Sequence, residues 1–435
     1  MAFILYCLHF ALTLCYYIYK RWTPVPLRSC SALPNGQCNM KQTFLYMLMA
    51  VLALTFGACS SDDGPQQDPT PKIDLDDDQT TAELNESYTY KLPVIFHVFY
   101  KDEAEMKQKV TASRLADILD HVNRIYQGGY YSTDIGTSEN INIRFNLATH
   151  DERGNRLATP GVEYVKWDGT YPIDANDFMN NNKKGYARYL WEPNDYINVM
   201  VYPFAPEANS AEVTLGVSHL PFTLKGVNET DGLSALESKY NDISKKNLSF
   251  AYCSSINSDF INYEVDRYTN ASHNITSGTL NQAKFDINVT LAHELGHYLG
   301  LLHAFSEKED ANGNLLEDAC DDTDYCTDTP SYNRPAYLRR VTALLNSSQV
   351  QSISFKELAE RTSCRGDKFF STNIMDYAYT YAFELTAQQK ARIRRVLYNS
   401  PLIPGPKQRL RTKSRVATGS ADDMGVIDLP IRVVK

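Results

Sequence analysis

The pattern of apolar positions becomes that of a folded domain at Tyr88. The run YKLPVIFHVFY predicts a strand, and the segment after it has the apolar spacing of a helix, carried by Leu115, Ile118, Leu119, Val122 and Ile125. Further apolar runs, separated by loops containing Asn, Gly and Pro, predict strands at residues 141–149, 195–204, 214–223 and 247–255. The alternation predicts a mixed α/β domain over residues 88–401, with the sheet in its upstream part.

Two apolar runs precede this domain. Residues 40–58 combine a lysine, an apolar stretch and small residues, which is the layout of a secretory signal. The earlier run, within residues 1–39, is barely long enough to span a bilayer, so we interpret residues 1–39 as an over-extended start, with a transmembrane anchor as the alternative. Residues 59–87 are polar and acidic and predict a flexible tether, and the basic residues 402–435 predict a C-terminal tail.

The signal segment resembles that of bacterial lipoproteins. Gly57 and Ala58 are the small residues before cleavage, and Cys59 would become the lipid-bearing first residue, although Phe56 departs from the usual aliphatic residue. The acidic SSDDG after it resembles surface-export signals of Bacteroides-type lipoproteins. The resemblance implies an exported outer-membrane lipoprotein on the cell surface, or alternatively on the periplasmic face, that contacts the membrane through its lipid anchor only.

Charge and cysteine usage narrow the function classes further. The formal net charge is −9, and the first 58 residues contribute only basic charges, so the remainder is more acidic still and nucleic acid is not expected as a partner. Four cysteines follow residue 59 and are enough for two disulfides in an oxidising compartment. These cysteines are Cys253, Cys320, Cys326 and Cys364. Four cysteines allow three disulfide pairings, and free thiols or metal ligands are the alternative.

The segment HELGHYLGLLH carries the candidate chemistry. His293 and His297 are four residues apart, so one helix face can direct both at one ion, with Glu294 beside metal-bound water. His303 can reach the same ion only if the chain turns after His297, and Gly300 permits that turn. Three imidazoles leave an open position, which is the catalytic arrangement of zinc. An amphipathic core helix with incidental histidines is the alternative.

The same segment resembles the metzincin metalloproteases, whose signature is HExxHxxGxxH. NIMDY at residues 373–377 is similar to their methionine turn, which implies Met375 beneath the zinc and Tyr377 close to it. The resemblance implies a twisted mixed sheet with an active-site helix, followed by a largely irregular lower subdomain that contains the Met-turn and a C-terminal helix.

The resemblance is closest to the pappalysin-like branch, through residues 303–305, the DTP at 328–330, the Met-turn and the helical segment 385–401. That branch implies a calcium site, here at Asp324 and Thr329, and carboxylates and hydroxyls suit hard cations. An acidic solvated loop is the alternative. Because Cys320 and Cys364 flank the loop between the third histidine and the Met-turn, we favour that pair as one disulfide.

These motifs predict a zinc-dependent endopeptidase that acts on proteins or peptides, with Glu294 as general base and Tyr377 as donor to the oxyanion. The alternatives are a surface-binding lipoprotein with an inactive metalloprotease fold and a zinc hydrolase of a non-peptide amide. Residues 378–381 read AYTY and hold no carboxylate, and Glu384 is the next acid. A pocket walled by tyrosine would favour cleavage before apolar residues.

Overall fold

The computed structural model describes residues 87–128, 136–207, 213–226, 229–264, 285–308, 316, 320–348, 353–407 and 424–435, all within the compact unit Thr81–Lys435. The predicted over-extended start, the signal segment, Cys59 and nearly all of the tether lie outside the described residues. Among the described helices, none combines the length and the apolar character needed to cross a membrane.

A seven-stranded mixed sheet forms the upper part of the domain, with strand order β11-β5-β8-β4-β1-β2 and with β3 also paired to β1. Strands β2, β3 and β4 run parallel to β1, β8 runs parallel to β4, and β5 and β11 are antiparallel to their neighbours. The strands are β1 (Tyr90–Tyr100), β2 (Ile143–Leu147), β3 (Val162–Lys166), β4 (Ile197–Tyr202), β5 (Gly216–His219), β8 (Ser254–Asn257) and β11 (Val433–Val434).

The predicted first strand is confirmed as the centre of this sheet. β1 is eleven residues long, and its residues Val94–Val98 pair with β4 on one side, while β2 and β3 share the other side end to end. A strand covered on both faces needs a nearly continuous apolar sequence, which YKLPVIFHVFY provides. His97 is the polar exception; its Nδ1 lies 2.8 Å from Glu163 and its Nε2 2.9 Å from Asn198, so its burial is satisfied.

The predicted first amphipathic helix is also confirmed. It spans Ala112–Tyr126, begins at the N-cap Thr111 and buries its apolar stripe against the sheet. Asn123 ties it to β2, because its side chain donates to the Phe145 carbonyl at 2.9 Å and accepts from the Phe145 amide at 2.8 Å. The helices are α1 (Glu103–Lys109), α2 (Ala112–Tyr126), α3 (Ala175–Asn180), α4 (Ile287–Tyr298), α5 (Arg334–Leu345), α6 (Phe355–Ala359) and α7 (Ala387–Asn399).

The lower part of the domain, after α4, has its own small apolar core. Five buried aromatic residues outside the helices, among them Phe305 and Tyr332, gather with residues of α5 and α6 in this second cluster. Two short strands, β9 (Glu360–Thr362) and β10 (Lys368–Phe370), form an antiparallel pair beside it, and β6 (Phe222–Leu224) pairs with β7 (Ser234–Leu236) elsewhere. The mixed α/β class and the sparsely structured lower subdomain agree with the prediction.

Part of the segment predicted as a tail packs with the domain. Leu402 and Ile403 are fully buried, and Leu429 is nearly so. Val433 and Val434 form β11 on the outer edge of β5. The apolar residues in the basic tail sequence therefore find partners in the main core, which composition alone did not indicate.

One of the two predicted disulfides is confirmed. Cys320 and Cys364 are bonded, with their Cα atoms 5.5 Å apart. The second disulfide is wrong, because Cys253 and Cys326 are free and buried. Cys253 lies in the main core with its sulfur 3.7 Å from that of Met179, whereas Cys326 lies in the segment enclosed by the Cys320–Cys364 disulfide. Burial raises the pKa of both thiols, which keeps them protonated and weakly reactive.

Candidate metal centre

Helix α4 carries the first two predicted ligands. Its N-cap, Asp286, accepts hydrogen bonds from two backbone amides of the first turn, so the helix start is fixed. Nearly every residue of the helix is buried, and His293 and His297 project from the same face. A helix in such surroundings is rigid, which is what a metal site requires of its ligands.

The chain leaves this helix through a turn at Gly300. The φ of Gly300 is +93°. The Leu301 amide donates to the Gly296 carbonyl at 2.9 Å, and the Gly300 amide donates to the His297 carbonyl at 2.8 Å. This pair of bonds is the Schellman motif, which needs a left-handed residue after the helix. The predicted role of Gly300 is confirmed. Arg392 in α7 fixes the turn further by donating to the Gly300 carbonyl at 2.6 Å.

The turn brings His303 back to the helix. The Nε2 atom of His297 lies 3.0 Å from that of His293 and 3.1 Å from that of His303, and all three rings are buried. The three nitrogens form one candidate metal group. Among the described residues it is the only such group of His, Cys, Asp and Glu ligands.

The Nδ1 atom of each ring faces an oxygen. The acceptors are the Ile374 carbonyl at 2.6 Å from His293, the Leu301 carbonyl at 2.9 Å from His297 and the Glu307 carboxylate at 2.7 Å from His303. A carbonyl can only accept, so Nδ1 carries the proton and each neutral ring keeps a bare lone pair on Nε2. Burial lowers the pKa of His293 to about 3, which holds that ring neutral.

This donor set fits zinc. Three lone pairs that face one another at 3.0–3.1 Å repel unless a cation lies between them. Imidazole nitrogens bound to tetrahedral zinc at about 2.0–2.1 Å lie about 3.3 Å apart, which is close to the observed spacing. The outer oxygens also orient the rings as metal-bound histidines require. Glu307 was not anticipated, although its place four residues after His303 is a sequence signal that could have revealed it.

Glu294 lies on the same helix and is almost completely buried. Its Oε2 has no hydrogen-bond partner among the described residues, and burial raises the pKa of the carboxyl well above its usual range. Gly216 in β5 makes room for it, because a Cβ at Gly216 would lie 2.5 Å from Oε1. A buried, unpartnered carboxylate beside three convergent imidazoles is costly for stability and is typical of a functional site.

Met375 and Tyr377 come from the predicted Met-turn. A Cβ on Gly296 would lie 2.5 Å from the Met375 sulfur, so the methionine packs against the helix between the two helical histidines. The Met375 carbonyl also accepts from the Ala304 amide, next to His303, at 3.1 Å. The Tyr377 ring centre is 4.4 Å from that of His303. The structure therefore places Tyr377 in contact with His303 and Met375 against the helix that carries the other two histidines.

Comparison with known families supports the motif reading. Residues 237–398 match the model of peptidase family M43, described as pregnancy-associated plasma protein-A. This region is therefore similar to the pappalysin-like metzincins. The match covers the helix of the first two histidines, the turn, the third histidine, the Met-turn and nearly all of α7, and it supports a metalloendopeptidase.

Two solved structures from Tannerella forsythia are similar to this chain. Mature mirolysin in complex with a cleaved peptide is 18% identical with a TM-score of 0.42, covering 70% of this chain and 90% of that one. A promirolysin mutant is 16% identical with a TM-score of 0.41, covering 85% of this chain and 93% of the other. Comparison with curated proteins finds no match.

A buried ion pair holds the Met-turn of this pappalysin-like segment. Arg361 is 1% exposed, and its Nε lies 3.4 Å from the carboxylate of Asp376, between Met375 and Tyr377. Arg361 also donates to the carbonyls of Leu358 and Tyr377, and its guanidinium lies 3.5 Å from the ring centre of Tyr337. Nothing in the sequence around Arg361 distinguishes it from a surface arginine, so only the structure reveals it.

The carboxylate of Asp376 has three further donors. Tyr332 donates to it at 2.5 Å, the Tyr377 amide at 2.7 Å, and Ser371 also donates. These bonds fix the peptide that carries Tyr377. On its other side, Tyr377 is covered by Arg334, whose guanidinium lies 4.7 Å from the tyrosine ring centre.

The residues expected to hold calcium lie together. The Thr329 hydroxyl lies 2.6 Å from a carboxylate oxygen of Asp324, whose other oxygen accepts from the Cys326 amide at 3.0 Å. Both residues are buried. Burial, with the neighbouring Asp322 as a further cause, raises the pKa of Asp324. The structure thus joins the two residues without showing that a cation binds them.

The residues after the Met-turn do not form the expected open wall. Tyr379 is 5% exposed and Tyr381 is 1% exposed, and both belong to the second core. Glu384 is held by a hydrogen bond from Thr372, and burial raises its pKa. Tertiary packing has therefore used the tyrosines for the core, which removes the physical basis of the predicted apolar preference.

Proposed function

We propose that this chain hydrolyses internal peptide bonds in proteins or peptides with a zinc ion held by His293, His297 and His303. The observation that supports this most strongly is that the Nε2 lone pairs of the three histidines converge. The Nδ1 atom of each ring faces an oxygen instead. A structural zinc site would have a fourth protein ligand, whereas in the described part of the chain this group offers three and leaves one position for water or substrate.

Zinc bound there supplies Lewis acidity, which polarises a peptide carbonyl and lowers the pKa of coordinated water to near 7. Glu294 then takes a proton from the attacking water and delivers it to the leaving amine. Its burial favours the protonated form after transfer, so the carboxyl can act as the acid in the second step. Gly216 allows the carboxylate to occupy this position, since any side chain there would collide with it.

Tyr377 is proposed to donate a hydrogen bond to the oxyanion that develops on the attacked carbonyl. Its ring contacts that of His303, and its main-chain carbonyl and amide bond to Arg361 and Asp376 respectively. A donor fixed in advance costs no reorganisation at the moment of reaction. Met375 provides the apolar floor against which the helical histidines are packed.

The decisive experiment is cleavage-site profiling of a denatured proteome with zinc-loaded protein, with Glu294→Gln as the matched inactive control. Internal cuts that appear with the wild type and are absent with the variant and with a chelator support an endopeptidase. A surface-binding protein with an inactive fold gives no cuts under any condition. Release of small amines from non-peptide amides without peptide cleavage would support the remaining alternative.

A second metal is proposed from the resemblance alone, with calcium bound through Asp324 and Thr329. The buried carboxylate and hydroxyl provide the oxygen ligands that calcium prefers. The test is whether calcium raises the unfolding temperature of the wild type but not that of Asp324→Asn. Exposed Asp321→Asn is the matched control, and an identical response of all three proteins indicates a solvated acidic loop.

We also propose that the chain is exported and anchored to the outer membrane by a lipid on Cys59, at the cell surface or on the periplasmic face. The basis is the signal-like sequence of residues 40–58. Mass spectrometry of membrane-extracted protein should find Cys59 as the modified first residue. Peptides from residues 1–39 in that sample would contradict the proposed start.

A further inference from the structure

The outer edge of β5 runs beside the proposed general base. Gly216, at the start of β5, lies against the carboxylate of Glu294, where a Cβ would come within 2.5 Å of Oε1. One edge of β5 pairs with β8, so the other edge is the one that an additional strand can join. An extended peptide that adds to this edge at Gly216 would therefore pass beside Glu294.

That edge is covered by residues 424–435 of the same chain, called here the docked segment. The segment runs antiparallel to β5, with Val433 opposite His219 and Val434 opposite Ser218. The Leu220 amide donates to the Arg432 carbonyl at 3.0 Å and extends this pairing by one residue.

Upstream contacts hold the docked segment in place. The Ile427 amide donates to the Asn247 carbonyl at 2.9 Å, and the Asn247 side chain donates to the Gly425 carbonyl at 2.8 Å. Leu429 is 4% exposed and belongs to the main core. The segment thus has one buried side chain as its principal anchor.

Side chains of the docked segment reach the face of the sheet that bears Glu294. Residues opposite each other in a pair share a face, so Val434 lies on the face of Ser218 and Gly216. Arg432 lies two residues earlier on the same face and donates to the Gly232 carbonyl.

We propose that the docked segment occupies, within the same molecule, the sheet edge on which a peptide substrate aligns, and thereby competes with substrate. This inference rests on the proposed function. Main-chain bonds along a free edge are a common way to hold an extended peptide, and one edge accepts one strand at a time. Residues 432–434 use the antiparallel direction and the main-chain groups that such a peptide would need.

The contacts are few enough for the segment to leave. Two residues of β11 are paired with β5, and Leu429 is the buried side chain of the segment, while Ile427, Ile431 and Val433 pack against the core and stay partly exposed. If the edge is free only a tenth of the time, the apparent affinity for substrate falls about tenfold, because the competent state must be populated first. The docked segment would then set the apparent affinity for substrate by how often it leaves the edge.

The test compares two substitutions of the same kind in the docked segment of the full chain. Leu429→Asp puts a charge at the buried anchor and should release the segment. Val426→Asp makes the same chemical change at a side chain that is 67% exposed and is the matched control. We expect kcat/KM for a peptide substrate to rise about tenfold in the first variant and to stay at the wild-type value in the second.

A second measurement uses a fluorescently labelled synthetic peptide of residues 424–435 and requires no catalysis. It should bind zinc-loaded Leu429→Asp about tenfold more tightly than wild type and should inhibit the variant competitively. If Leu429→Asp proves unfolded by circular dichroism, Val434→Pro replaces it. Main-chain groups two residues apart in a strand point toward the same neighbouring strand. The carbonyl of Arg432 accepts from β5, so the amide of Val434 also faces β5. Proline at position 434 therefore removes that donor without adding a charge.

Equal peptide binding to wild type and released variant, or equal kcat/KM in both alongside an inactive Glu294→Gln, overturns the competition. The proposed function survives that result. If wild type and released variant bind zinc but neither cleaves any peptide, the proposed function fails. Labelled-peptide binding then still decides whether the docked segment covers the edge.

Discussion

Gly216 in β5 lies against the carboxylate of Glu294, and a Cβ at this glycine would fall 2.5 Å from Oε1 and 2.6 Å from Cγ of the glutamate. Strand and helix therefore meet with no space for a side chain. Glu294 depends for its position on a residue 78 positions earlier in the chain.

The first prediction concerns this contact. Gly216→Ala should displace the Glu294 carboxylate and reduce kcat at least about 100-fold, since small displacements of a catalytic group are costly. Zinc affinity should not change, because the histidines are not touched. Gly136→Ala is the control, as its Cβ would meet ordinary contacts of 3.6 Å and longer. Unchanged kcat in Gly216→Ala would contradict the proposed position of the base.

Glu294→Gln tests the base itself. The variant should retain zinc and its unfolding temperature but lose roughly 100- to 10,000-fold in kcat, the range for a general base. Atomic absorption gives the metal content, and a fluorogenic peptide gives the rate. Glu105→Gln, on exposed α1, should behave as the wild type. Activity within tenfold of wild type would exclude the proposed role.

Glu307 is expected to tune the metal site through His303. It accepts from the Nδ1 of His303, whereas the other two histidines bond to backbone carbonyls that substitution cannot remove. Glu307→Ala should therefore weaken zinc binding by about 10- to 100-fold. A competition titration with a chromogenic chelator measures the change, and Glu105→Ala provides the comparison. An unaltered zinc affinity would mean that the carboxylate does not orient the ring.

The ion pair beneath the Met-turn should be needed for stability. Arg361→Met leaves the Asp376 carboxylate buried without its cation and should cost about 3–5 kcal/mol in the free energy of unfolding. The double variant Arg361→Met, Asp376→Asn should recover part of this loss, because no charge remains buried. Urea denaturation measures both. Exposed Arg339→Met should stay within about 0.5 kcal/mol of wild type.

His219 should make stability depend on pH in the acid range. Burial lowers its pKa from 6.5 to about 4, so between these values the unfolded chain binds a proton that the folded chain does not. This contribution to stability is full above pH 6.5 and is lost as pH falls toward 4, by roughly 3 kcal/mol in all. His219→Gln should flatten this part of the urea-derived stability curve. An equally steep curve in the variant would assign the dependence to other groups.

Local sequence was sufficient for the catalytic segment. The four-residue spacing of His293 and His297 fixes their common face on any helix, and the glycine at position 300 permits the left-handed turn that returns His303. The apolar run of β1 and the helical spacing of α2 likewise predicted their elements. A strand buried on both faces has a continuous apolar run, whereas a helix buried on one face has apolar residues at helical spacing. The Cys320–Cys364 pair was favoured because both cysteines flank the loop between His303 and the Met-turn, and the structure confirms it.

Tertiary structure decided what depends on residues distant in sequence. The periodicity of apolar residues shows which face of a helix or strand is buried. It does not show which other helix or strand packs against that face. Hence the contact of Gly216 with Glu294, the burial of Tyr379 and Tyr381, and the separation of Cys253 from Cys326 could not be predicted. The docking of residues 424–435 on β5 could not be predicted either. Strands pair through main-chain hydrogen bonds, which require few particular side chains in the sequence.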